Sequence, residues 1–150
     1  MARIPRLVNR SEETIYHALS RTALGGLPIQ DVEKDDFLRL LKKFSRLYFV
    51  DVLGFGIMST HYHLAIRMRL EKDFSDQEIR TRWDEFYQGD KVFHTKEIPR
   101  YRDKFSNISE FSKDLKQSFT RFYNGTHHRK GYFWGERFKS VIVEEGAHLV

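Results

Sequence analysis

His61-Tyr62-His63 is the part of this chain best suited to chemistry. Two imidazoles stand two residues apart in the apolar, β-prone run Gly56-Ile57-Met58-Ser59-Thr60-His61-Tyr62-His63-Leu64-Ala65-Ile66. Side chains of a strand alternate between faces, so His61 and His63 project from one side. Tyr62, Leu64, Ile66 and Met68 then project from the other, toward a core. Two neutral imidazoles held side by side on a rigid strand can bind a divalent metal in cis. Taken alone, such a pair is more often ordinary polar surface than a ligand set, and its neighbourhood has to decide. His127-His128 follow a helix end, where a cationic imidazole is favourable without any metal. His17 reads as a structural member of a strand, and Tyr123 as packing at the end of a helical stripe.

The elements that must position the pair are legible from periodicity. Residues 14–22 read as a first strand, closed by a turn at Gly25-Gly26 and Pro28. Over residues 33–48, Phe37, Leu40, Leu41, Phe44, Leu47 and Tyr48 mark one face of an amphipathic helix, with Lys42, Lys43 and Arg46 opposite. Residues 49–57 and 61–69 read as two strands joined by Met58-Ser59-Thr60, a hairpin. Ser75 and Glu78 form a capping box for a helix presenting Ile79, Trp83, Phe86 and Tyr87. The polar stretch 91–104, with Pro99 as a breaker, reads as loop, so residues 70–107 are expected to be an inserted helix and loop. Asn107 and Glu110 cap a further helix with the stripe Ile108, Phe111, Leu115, Phe119 and Phe122, ended by Asn124-Gly125. A last strand is expected over residues 136–145.

Strand, helix, strand, strand, helix, strand is the ferredoxin-like split β-α-β-β-α-β order. It predicts an α+β fold: one antiparallel sheet, helices on one face, and the other face open. His61, His63 and Arg67 would line that open face of a central strand, which suits an extended phosphodiester.

At 150 residues the chain has the length of one domain, and 40% hydrophobic with 15% aromatic content fits a globular core. A net charge of +5 and a pI near 9.5 favour a polyanionic partner, nucleic acid before anionic membrane. The absence of cysteine excludes disulfides and thiolate metal sites. No run approaches the ~18 apolar residues of a membrane span, and the N-terminus has no apolar signal stretch, so a cytoplasmic protein is the default expectation.

Several blocks, in order, resemble the single-tyrosine, histidine–hydrophobe–histidine (HUH) transposases, most closely their REP-associated tyrosine transposase branch. Arg3-Ile4-Pro5-Arg6 is similar to the family's basic start, Tyr16-His17-Ala18-Leu19-Ser20-Arg21 to its first strand, and Met58-Ser59-Thr60-His61-Tyr62-His63-Leu64 to its metal motif. Phe122-Tyr123-Asn124, Gly131-Tyr132-Phe133-Trp134 and Arg137-Phe138-Lys139-Ser140 are similar to the block before its last strand. Residues 70–107 match nothing in it. Thr60 stands where this branch commonly has Asn.

The resemblance implies cleavage and rejoining of single-stranded, hairpin-forming DNA through a 5′-phosphotyrosine intermediate. It implies Mg2+ or Mn2+ held by His61 and His63. It also implies DNA contacts among Arg3, Arg6, Arg21, Arg67, Arg129, Lys130, Arg137 and Lys139. The family's nucleophilic tyrosine lies on a helix past the block matching Gly146-Ala147-His148-Leu149, so by that alignment it falls beyond Val150, together with a polar ligand on the same helix. Residues 1–150 are therefore expected to be a single transposase-like domain that stops short of the tyrosine helix. Related enzymes are dimeric, although no homodimer interface is legible here. Two other functions fit the same residues: a hairpin-specific DNA-binding module without chemistry, and a metal-dependent phosphodiesterase that uses water. The latter lacks carboxylate ligands near the motif.

Overall fold

The computed structural model describes residues 12–135 and 139–144. Strand β1 (Thr14–Arg21) leads into helix α1 (Asp31–Leu47), which returns through the hairpin of β2 (Val50–Ile57) and β3 (His61–Met68). Helices α2 (Asp76–Tyr87), α3 (Ile98–Phe105) and α4 (Ile108–Thr126) follow, and β4 (Lys139–Glu144) closes the described chain. The strands form one antiparallel sheet in the order β2-β3-β1-β4, the expected split β-α-β-β-α-β arrangement.

Alternation in the two central strands decides which face is dry. In β3, Tyr62, Leu64, Ile66 and Met68 are buried, whereas His61, His63, Ala65 and Arg67 are partly exposed. β1 contributes Tyr16 and Ala18 to the same dry face. Against it α1 lays Phe37, Leu40, Leu41, Phe44 and Leu47, and α4 lays Phe111, Leu115, Phe119 and Tyr123. Phe37 joins the layers, its ring centroid 4.7 Å from that of Tyr62 and 5.7 Å from that of Phe119. Each such side chain contributes about 1.5–3 kcal/mol on burial.

Residues 70–107 differ from the expected helix and loop, because α3 forms where the polar stretch reads as loop. Pro99 sits in the first turn of α3, where its missing N–H needs no partner, so it starts this helix rather than breaking one. The polar residues 91–104 include Tyr101, which with Phe105 faces the core, and two buried positions suffice to dock two turns of helix. The segment packs against the helix layer, α2 against α1 and α3 against α4. Arg82 of α2 donates to the carbonyls of Arg46 and Tyr48 at 2.9 and 3.0 Å, satisfying the open end of α1. Arg102 of α3 donates to the carbonyls of Glu71 and Phe74 and to the Asp76 carboxylate. Phe49 and Phe74 stack with centroids 3.8 Å apart.

Helix α4 also runs past Asn124-Gly125 to Thr126, and Tyr123 rather than Phe122 completes its buried stripe at four-residue spacing from Phe119. His127 follows as its C-cap.

Candidate metal and nucleic-acid site

β3 lies between two hydrogen-bonded neighbours, so its backbone is held on both sides: Arg21 and Leu19 of β1 pair with His61 and His63, and Gly56 of β2 pairs with His63. The turn before it is tied just as firmly. Met58 N–H donates to the His61 carbonyl at 2.8 Å, Thr22 N–H to the Thr60 carbonyl at 2.9 Å, and Ile29 N–H to the Ser59 carbonyl at 3.1 Å. Thr22 Oγ1 donates in turn to the Phe133 carbonyl at 2.9 Å, and Gly135 N–H to the Arg21 carbonyl at 2.9 Å. Gly135 can make that approach because it has no Cβ; one would lie 3.3 Å from Ala23 Cα.

On the open face the rings of His61 and His63 stand 4.9 Å apart, nearly perpendicular at 85°. His61 Nδ1 is 3.0 Å from Thr60 Oγ1, a hydroxyl that Arg21 Nη1 also approaches at 3.5 Å. His63 Nδ1 is 3.1 Å from His17 Nε2, the two rings lying within 9° of parallel. Burial, then the neighbouring His63 and the Arg21 guanidinium, hold the His61 imidazole below its ordinary pKa, so it is neutral and has a lone pair to offer at neutral pH.

Two imidazoles on one partly exposed face fit a divalent ion that keeps an open coordination shell. Among the described residues no three His, Asp or Glu side chains converge to close a cage around such an ion. Solvent or phosphate oxygens would have to complete the shell.

The basic residues expected at DNA divide into groups. Arg21 is exposed at the end of β1, directly across from His61. Arg67 shares the open face but lies six residues further along β3, about 20 Å at strand rise. There it meets Asp51 at 3.9 Å. Lys139 pairs through its backbone with Leu19, which is also the partner of His63. Arg129 and Lys130 follow α4 in the helix layer. Arg129 donates to Asn124 Oδ1 at 2.7 Å and to the Tyr132 carbonyl at 3.1 Å, so its guanidinium braces its own chain. Arg3, Arg6 and Arg137 lie outside the described residues.

Two features of the open face are absent from the sequence reading. His17 joins the histidine pair, although 46 residues separate it from His63. Alternation from buried Tyr16 would have put it on the open face; the register that sets it diagonal to His63 is tertiary. Gly54 and Gly56 pair with Ala65 and His63 and so share their face, making a low shelf beside the imidazoles that is open at Gly54 and borders the Met58 side chain at Gly56. Away from that face, at the end of α4, His127 bonds Glu33 Oε1 at 2.9 Å and stacks on Tyr123 with ring centroids 4.1 Å apart, a structural role.

No protein-family model matches this sequence, and no curated protein matches it. Solved structures do match in three dimensions. One is a REP-associated tyrosine transposase bound to a REP hairpin, with a TM-score of 0.62 and 10% identity over 97% of this chain and 64% of that one. Another is a candidate transposase from Deinococcus radiodurans R1, with a TM-score of 0.52 and 16% identity over 97% of this chain and 88% of that one. The chain thus has the fold of these transposases, and it spans about 64% of the length of the first.

Proposed function

We propose that this chain is the DNA-processing domain of a transposase-type endonuclease and strand transferase that acts on hairpin-forming, single-stranded DNA. The observation that carries the reading is a histidine pair on the open face of a sheet whose fold is shared with a transposase bound to a REP hairpin. His61 and His63 would hold Mg2+ or Mn2+, which when bound polarises a non-bridging phosphate oxygen and orients the diester.

The chain's own residues supply the rest of the surface. Arg21, across from His61, offers a cation to the same phosphate. The Gly54–Gly56 shelf lets a sugar-phosphate backbone come close to the sheet beside the imidazoles, with no side chain over Gly54. The two strand tyrosines, Tyr16 and Tyr62, face the core and are fully buried. The nucleophilic tyrosine is proposed to come from outside residues 1–150. Its phenol, of pKa about 10, ionises far more readily than an aliphatic alcohol.

Binding and cleavage of a single-stranded hairpin DNA with Mn2+ or Mg2+ tests the reading, comparing residues 1–150 with a chain extended at its C-terminus. A covalent protein–DNA adduct from the longer chain alone is expected. Binding by both without an adduct would leave a DNA-recognition module instead, and clean hydrolysis without an adduct would indicate a water-using phosphodiesterase.

A further inference from the structure

We propose that His17 is a positioning residue that acts through His63, fixing which ring nitrogen His63 offers to a metal. The inference rests on the metal-site reading above. A neutral imidazole has one N–H and one lone pair, and the partner of one nitrogen decides the state of the other. His63 Nδ1 lies 3.1 Å from His17 Nε2, so one proton is shared by two nitrogens.

Two arrangements are open to that pair. If His17 Nε2–H donates, His63 carries its own proton on Nε2 and has no lone pair left for a metal. If His63 Nδ1–H donates to His17 Nε2, the Nε2 lone pair of His63 is available. Metal binding therefore selects the second arrangement and makes His17 the acceptor. This is the part that a carboxylate or carbonyl usually takes behind a metal-bound histidine.

His17 is placed for this task and not for direct ligation. It sits on β1 opposite Ala65, diagonal to His63, and its Nε2 is directed at the inner nitrogen of that ring. Consistently, His17, His61 and His63 do not form a three-ligand cluster. Behind the other motif ring stands a hydroxyl, Thr60 Oγ1, rather than an imidazole.

The test is Mn2+ titration by electron paramagnetic resonance of the wild type, His17→Gln and His17→Phe, with folding checked by circular dichroism. Gln keeps an acceptor; Phe keeps the ring and removes it. His17→Phe should weaken Mn2+ about 10- to 100-fold, with His17→Gln close to wild type. Equal affinity of His17→Phe and wild type overturns the inference, and so does an equal loss in both variants. Wild type that binds no Mn2+ would instead remove the metal-site reading itself. Long-range 1H–15N spectra of the wild type with Zn2+ need no variant: His63 protonated on Nδ1 is expected, and protonation on Nε2 would overturn the proposal.

Discussion

At the scale of single residues, His61 and His63 differ in what surrounds them, and this sets what their loss should do. His61 lies beside Arg21 and the Thr60 hydroxyl; His63 is backed by His17 and flanked by the glycine shelf. Neither ring contributes to the core, so His61→Ala should leave the melting temperature nearly unchanged. In a chain that carries the nucleophile it should abolish cleavage, by more than about 100-fold given the several kcal/mol a metal contributes to a phosphoryl transition state. Hairpin binding, measured by gel shift on the same preparation, should be largely kept. Equal loss of binding and cleavage would contradict this division of roles. Arg129 gives the opposite expectation. Its bonds to Asn124 and to the Tyr132 carbonyl make it a brace, so Arg129→Ala should cost about 1–3 kcal/mol in urea unfolding.

Among the elements, the start of α1 is where charge and fold meet. Burial raises the pKa of the Glu33 carboxyl, but hydrogen bonds from His127 and the Gln30 N–H, with the His127 charge, outweigh it and hold the group below its ordinary value. A depressed carboxylate pKa stabilises the fold above the unfolded-state value of 4.5. That stability is lost as pH falls below 4.5 toward the folded-state value, since the unfolded chain binds the proton first. Glu33→Gln should therefore flatten the acid limb of stability measured by denaturant titration across pH 3 to 6, and cost about 1–2 kcal/mol at neutral pH. Strand β2 permits a cleaner separation of fold from function. A Cβ at Gly54 would meet nothing within 4 Å, and valine favours a strand over glycine. Gly54→Val should thus melt no lower than wild type while crowding the shelf beside Ala65, and a several-fold weaker grip on single-stranded DNA is expected in fluorescence anisotropy.

For the whole molecule, the net charge of +5 is not confined to the open face. Arg39, Lys42, Lys43, Arg46 and Arg82 line a cleft between α1 and α2, in the helix layer behind the sheet, where Glu85 and Asp90 offset part of their charge. If DNA lies on the open face, only cations there should release counterions on binding. Arg21→Ala should then lower the slope of log affinity against log salt by about 1, and Arg129→Ala should leave it unchanged. The same scale accounts for residues 70–107. Its two helices dock through Trp83, Tyr101 and Phe105, and Arg82 ties it to the end of α1.

The sequence by itself determined the sheet and the site's founding pair. Alternation along β3 and the four-residue stripes of α1 and α4 are local properties, so burial of Tyr62, Leu64 and Phe37 and exposure of His61 and His63 could be read by counting. The helix from Pro99 and the completion of the α4 stripe by Tyr123 were less legible, since a few buried aromatics, not overall polarity, decide whether a short helix docks. What only the tertiary structure decided is everything that depends on register between distant segments. The pairing of β1 with β3 brings His17 to His63, and the β2 register sets Gly54 and Gly56 beside them. Side chains at Asn124 and His127 divert Arg129 and Glu33 to structural work. Hydrogen-bond register between strands is fixed by the whole packed core, and no spacing within one segment encodes it.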